Sequence, residues 1–332
     1  MKALKIILQY LVFLGLGIGI IYYMFHNMKP EDKAAMFQSM KQTRIWIIIP
    51  VLISGFLSHW FRALRWKLML RPLNIFPTTT NTTLAILIGY LVNLLVPRMG
   101  EVAKCTVLAK YEHVPADKMV GTVVAERAFD VLVLGIITLA AFALQSDVIG
   151  DFVNNKILSA FAAKTTLIAI AISGMIFMIL LLVYVYRKYK HSKIGRFLKG
   201  MMDGVGSIWH LRNRWQFILY TILIWGMYYL QVMMGFWSLP ATEHLGWLCA
   251  LVVLVFGSVG MIATPGGLGA YPALVAMILG FYGLSNADGQ ALGWVAWSAQ
   301  AIILLALGIV ALIVLPIFNR NKHHAQARVD TE

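Results

Sequence analysis

The chain has 332 residues, of which 60% are hydrophobic and 13% charged, with a mean hydropathy of +0.77, a balance that excludes an ordinary soluble domain. The net charge of +14 does not point to nucleic acid, because Lys and Arg gather between apolar runs, where they encode membrane topology. The two cysteines, Cys105 and Cys249, stand far apart in apolar surroundings, which supports neither a disulfide framework nor a cysteine metal site.

The apolar runs are continuous rather than alternating, so the expected fold class is an all-α integral membrane protein crossing by helices and not by a barrel. Lys2 and Lys5 precede a first helix from about Ile6 to Phe25, longer than a signal-peptide core and read as uncleaved. A polar connection, Asn27 to Arg44, leads to a second helix, about Ile45 to Phe61, which runs into Arg62, Arg65, Lys67 and Arg71, read as a cytoplasmic cluster. Next come Thr78 to Val96, the polar stretch Arg98 to Lys118, and a long segment from about Met119 to Leu144. A mixed loop and an apolar helix, about Thr165 to Tyr186, end in the strongest basic run of the chain.

Parity constrains the path. With Tyr186 at the cytoplasm, Met119 to Leu144 runs outward, so Arg71 and Lys118 are both cytoplasmic and the piece between them returns to its own side. That piece is too short for two full crossings and is expected to be a re-entrant hairpin turning at Pro97 to Gly100, because proline removes a backbone donor and glycine loosens the chain. Lipid tolerates such a break only where protein or water surrounds it.

In the second half, a helix from about Trp215 to Leu239 runs outward and the last helix, about Ala291 to Leu315, returns to a basic tail. Between them Thr264 to Pro272 is too rich in Pro and Gly for a continuous helix, giving a second hairpin of opposite sense. The expectation is therefore about six full transmembrane helices plus two oppositely oriented re-entrant hairpins. Residues 1–318 form one membrane domain with half-repeats about 45–144 and 215–316. Residues 319–332 form a basic cytoplasmic tail, and both termini are cytoplasmic.

Ionisable groups at membrane depth are costly and face cavities or one another. Arg98 is suited to clamp a lipid phosphate bidentately, with Lys104 as a supporting charge, Glu101 to orient Arg98 or take a proton, and Asn93 beside them on the first hairpin. Glu126 and Asp130, one helical turn apart, share a face; with Arg127 they form a structural or coupling set. In the second hairpin, Pro265, Gly266, Gly267 and Gly269 offer backbone amides as an anion nest, and Tyr271 a hydroxyl. The aromatic residues Trp225, Tyr228, Tyr229, Trp237, Trp294 and Trp297 are read as interface anchors or packing rather than as a sugar platform, and His59 as helix lining. No motif of a metalloprotease, nucleotide-binding loop, nucleophile elbow or redox pair occurs, and neither a metal nor a cofactor is expected.

Three motifs, Asn93-Leu-Leu-Val-Pro-Arg-Met-Gly-Glu101, Glu126-Arg127 with Asp130, and Pro265-Gly-Gly-Leu-Gly269, resemble the membrane domain of the lysylphosphatidylglycerol synthase and flippase family. The resemblance spans nearly the whole chain, without the family's soluble aminoacyl-transfer domain. It departs at Pro272 and Gln300, where relatives carry a glutamate and an arginine. It implies a lipid-handling module of the bacterial cytoplasmic (inner) membrane whose partner is an anionic lipid head group, a phospholipid or a polyisoprenyl-phosphate carrier moved between leaflets. A membrane enzyme using Glu126 and Asp130 as acid and base, and a non-catalytic subunit holding a lipid-biosynthesis enzyme, are the alternatives; a second copy of the chain is the other protein partner considered.

Overall fold

A computed structural model describes residues 2–96, 99–145 and 211–329. Among these residues the chain is all helical: α1 (Lys2–Asn27), α2 (Pro30–Lys41), α3 (Ile45–Leu70), α4 (Thr79–Leu95), α5 (Gly100–Glu112), α6 (Ala116–Leu144), α7 (Arg214–Ser238), α8 (Trp247–Ala263), α9 (Ala270–Phe281) and α10 (Asn286–Val329). Four stretches are long and apolar enough to cross a membrane: Ile45–Leu73, Lys118–Leu144, Arg214–Ser238 and Asn286–Arg320. The expected helix from Thr165 to Tyr186, with its loop and basic run, lies outside the described residues.

Helix boundaries follow local chemistry. Pro30 opens α2 with Glu31 and Asp32 in its first turn, where carboxylates complement the positive helix end, so the connection read as merely polar is itself helical. Thr78 caps α4 by accepting from the Asn81 amide at 3.3 Å. α5 ends at His113 in the left-handed conformation, φ 54°, and Pro115, in an extended conformation, immediately precedes α6.

Two boundaries differ from expectation. The second helix does not stop at Phe61: nothing in Arg62 to Leu70 breaks a helix, and Ala63, Trp66, Leu68, Met69 and Leu70 continue its buried face. Arg62 and Arg65, read as cytoplasmic topology markers, are 3% and 0% exposed. The last helix likewise passes through Pro316 and runs on to Val329 rather than ending at Leu315.

The two broken stretches are pairs of short helices, α4 with α5 and α8 with α9, each packed against its mate. At 1.5 Å per residue, their 17, 13, 17 and 12 residues reach about 18–26 Å, short of the roughly 30 Å of a hydrocarbon core. Each pair organises its own apolar core. The first joins Trp66, Leu70, Ile86, Cys105 and Leu108 to Met119 and Phe217. The second joins Val253, Val275, Ile278 and Leu279 to Ala141 and Phe236. Met119 and Phe217 lie near the starts of α6 and α7, Ala141 and Phe236 near their ends, so the cores sit at opposite ends of those two helices.

The breaks meet between these cores: a Cβ built on Gly266 would lie 2.9 Å from Leu94 Cδ1. α10 packs along both pairs, α3 lies along α7, and α8 touches α6. At the far end of the first pair, Asn81 and Asn319 exchange amide hydrogen bonds, Nδ2 to Oδ1, at 3.0 and 2.9 Å. Glu112 Oε1 accepts there from Asn81 Nδ2 and from the amide and hydroxyl of Thr78.

Candidate functional site

The first break is shaped by glycine. Gly89 and Gly100 bring α4 and α5 into backbone contact: a Cβ on Gly100 would overlap the Gly89 carbonyl oxygen and lie 2.5 Å from Asn93 Cγ. Asn93 Oδ1 accepts from the Gly100 amide at 2.8 Å, satisfying a donor at the exposed start of α5. Asn93 therefore fastens the turn. Pro97 and Arg98 lie outside the described residues.

From this turn α5 sends Glu101 and Lys104 toward α6, where they join a buried ion network. Glu126, fully buried, takes Arg62 Nη1 at 2.9 Å and Arg65 Nη2 at 3.2 Å on Oε1, and Lys104 Nζ at 2.9 Å on Oε2. Asp130 takes Arg62 Nη1 at 2.7 Å and Arg65 Nη2 at 2.8 Å on its two oxygens. Arg127 Nη2 lies 2.8 Å from Glu101 Oε1, and Lys104 lies 3.5 Å from Glu101 Oε2. Arg62 also donates to the Tyr228 hydroxyl at 3.1 Å and Arg65 to Thr221 at 3.2 Å, which ties α3 and α6 to α7. Lys104 sits 4.7 Å over the Trp66 ring, whose indole N–H donates to Thr122.

Two features of this network bear on function. Four cations, Arg62, Arg65, Lys104 and Arg127, face three carboxylates, Glu101, Glu126 and Asp130, leaving one positive charge among the described residues. Glu126 and Asp130 do share a face, as one helical turn dictates, but both are engaged by arginines from α3. Those arginines were invisible as site residues while they counted as topology. The signal was present in the stripe Ser58, His59, Arg62, Arg65 and Met69, which recurs every three or four residues with an unbroken helical sequence around it.

The second break holds itself. Pro265 to Gly267 form a short 3₁₀ turn; Gly266 and Gly267 within it and Gly269 just after it have φ of 58°, 75° and 73°, a region that only glycine occupies freely. The amides of Gly267 and Leu268 donate to Thr264 and Pro265 within the turn, Thr264 Oγ1 donates to the Leu268 carbonyl, and Trp297 Nε1 donates to the Gly266 carbonyl at 2.8 Å. Tyr271 packs on Gly257 and Gly260, where side chains would collide with it.

Beside the meeting point of the breaks, between α3, α6, α7 and the second pair, lies a cavity of about 430 Å³. α3 contributes Val51, His59 and Arg62; α6 contributes Arg127 and Asp130; Tyr90, Tyr271 and Gln300 complete the wall from α4, α9 and α10. Of the residues selected from sequence, Arg127, Asp130 and Tyr271 line it. Glu101, Lys104 and Glu126 stand behind the wall, Asn93 supports the first turn, and Pro265, Gly266, Gly267 and Gly269 support the second. Trp225, Tyr228 and Trp297 also line the cavity, alongside apolar residues. His59 is 1% exposed, packs against Tyr90 with ring centroids 4.4 Å apart and planes tilted by 44°, and neither of its ring nitrogens has a protein partner. No cluster of potential metal ligands occurs among the described residues.

No curated protein and no solved structure matches the chain. A family model described as the lysylphosphatidylglycerol synthase TM region matches residues 6–308, and the chain belongs to that family of membrane proteins.

Proposed function

We propose that the protein moves an anionic lipid between leaflets, binding its head group in the cavity beside the meeting point of the two broken helix pairs while the acyl or prenyl chains stay in the bilayer. The observation that carries this is the cavity itself: an apolar chamber between the two halves with guanidinium groups in its wall and one cation in excess of the carboxylates around it. In this reading the pairs are re-entrant, entering from opposite faces and meeting near mid-depth. Their short lengths, their cores at opposite ends of α6 and α7 and the contact of Gly266 with Leu94 favour that arrangement. Both termini then face the cytoplasm, and the membrane is the bacterial cytoplasmic (inner) one.

Arg127 is the cation best placed to trade partners. Its side chain is 39% exposed and its close contact is Glu101, itself 27% exposed, whereas Arg62 and Arg65 are buried among several partners. An incoming phosphate replaces Glu101 on the guanidinium, whose fork of N–H donors suits two phosphate oxygens at once. Arg98, which lies outside the described residues, is proposed from the sequence alone as a second phosphate clamp. The enzyme reading is disfavoured because the ion pairs of Glu126 and Asp130 leave neither free to exchange protons.

Reconstitution into liposomes containing a fluorescent phosphatidylglycerol, with a membrane-impermeant quencher added outside, tests the proposal. The wild-type chain exposes inner-leaflet label faster than empty liposomes, and Arg127→Gln slows it at least tenfold. Equal rates for wild type, Arg127→Gln and empty liposomes overturn it.

A further inference from the structure

The polar groups of the cavity are divided along α3. Arg62 lies at one level, beside Asp130 and Tyr228. Gly55, seven residues earlier and so about 10 Å along the helix axis, lies between two amides: a Cβ built there would be 3.9 Å from Gln231 Oε1 and 4.0 Å from Gln300 Oε1. His59 stands midway on the same face. The cavity is thus cationic at the arginine level and neutral but polar at the glutamine level.

Several of its polar atoms have no partner in the protein. Both nitrogens of His59, Nε2 of Gln231 and the indole nitrogen of Trp225 are buried and unsatisfied, and all three residues line the cavity. Groups of this kind are rare in folded proteins, because leaving one unmade costs about 1–3 kcal/mol. A phosphate diester satisfies only donors. A neutral imidazole presents one donor and one acceptor, and a glutamine amide presents both kinds, so their complement must also be able to donate. Hydroxyl groups do both.

A cationic head group finds no counter-charge here. The single carboxylate of the lining is Asp130, and its oxygens are already 2.7 and 2.8 Å from Arg62 and Arg65. Trp225, Tyr271 and Trp297 also line the cavity among aliphatic side chains, and aromatic faces of this kind cover the C–H surface of a polyol while the amides take its hydroxyls.

Resting on the transport reading above, we infer that the head group is a lipid phosphate bearing a neutral polyhydroxyl substituent, a sugar, inositol or glycerol unit, held with its phosphate toward Arg62 and Arg127 and its hydroxyls toward His59, Gln231 and Gln300. Lipid phosphate alone leaves the amide level unfilled, and an aminoacylated head group places a cation beside arginines.

The test uses the full chain in detergent micelles with equimolar phosphatidylinositol, phosphatidylglycerol, phosphatidic acid and a monoglucosyl diacylglycerol of matched acyl chains, and counts bound lipids by native mass spectrometry. The expected result is phosphatidylinositol or phosphatidylglycerol over phosphatidic acid by at least tenfold, with the glucolipid, which lacks phosphate, weakly retained. Whichever of the first two leads distinguishes a ring from a glycerol unit. In Gln300→Leu and Gln231→Leu the ratio to phosphatidic acid falls toward one; because all lipids compete in one sample, the ratio does not depend on the folded fraction. Equal retention of phosphatidylinositol, phosphatidylglycerol and phosphatidic acid, or a ratio untouched by both substitutions, overturns the inference and leaves the anionic-lipid reading standing. Retention of the glucolipid above every phospholipid, or no lipid bound above background, overturns both.

Discussion

Glu126→Gln keeps the side chain's shape and removes its charge from a fully enclosed position. Glu126 is 0% exposed and contacts Arg62, Arg65 and Lys104 at 2.9, 3.2 and 2.9 Å. With the amide in place, four cations face two carboxylates, Lys104 keeps only Glu101 at 3.5 Å, and the new NH₂ group points a donor at a donor. Removing one partner of a buried ion pair costs about 3–5 kcal/mol, because the surviving charge stays desolvated. The contacts share one network and are not additive, so about 3–5 kcal/mol is expected for the whole substitution. Unfolding of the purified chain in micelles, followed by tryptophan fluorescence, measures it. Glu243→Gln is the reference: its pair with Arg44 is 2.7 Å long but 47% exposed on the glutamate side, and about 0–1 kcal/mol is expected. Adding Lys104→Met to Glu126→Gln returns the surplus to one positive charge and should recover part of the loss. A loss for Glu126→Gln no larger than that for Glu243→Gln refutes the reasoning.

Other substitutions probe the framework. Asn93→Ala removes the acceptor for the Gly100 amide and should cost about 0.5–1.5 kcal/mol, with faster hydrogen exchange at Gly100 as the specific sign. Gly308→Val places side-chain atoms where a Cβ is already 2.5 Å from Leu91 Cβ; it should destabilise by about 1–3 kcal/mol, and Leu91→Ala in the same chain should recover only part of this, because the Cβ stays in place. Trp297→Phe loses the bond to the Gly266 carbonyl while keeping most of the ring, so faster exchange is expected at the Gly267 amide, with the α4–α5 turn unchanged.

The breaks at Pro97 and Pro265 were readable because proline and glycine act locally, and the short helices on either side appear where the punctuation puts them. The i, i+4 pair Glu126 and Asp130 was readable for the same reason, since one helix fixes both positions. Their partners were not. Arg62 and Arg65 stand 64 and 61 residues earlier than Glu126, and a basic cluster after an apolar run has the same appearance whether it meets water or a buried carboxylate. The contact of Glu101 with Arg127 was equally unreadable, because it arises from the packing of α5 on α6. The cavity was unreadable for a related reason: its wall draws on α3, α4, α6, α7, α8, α9 and α10, and no local pattern encodes which faces of seven helices converge. Trp225, Tyr228 and Trp297, ordinary membrane aromatics by composition, become site residues only through that convergence.

The paired amides of Asn81 and Asn319 act as an index mark between α4 and α10. Each amide gives one hydrogen bond to the other and receives one from it, so sliding α10 by a single residue turns Asn319 about 100° away and breaks both. α10 also packs along α8's mate, α9, and holds the Gly266 carbonyl through Trp297. Any change in the cavity's exposure that keeps these bonds therefore carries α10 and both breaks as one body against the α3–α7 wall, and a disulfide engineered across the Asn81–Asn319 seam would leave that motion free while one placed between α3 and α10 would stop it.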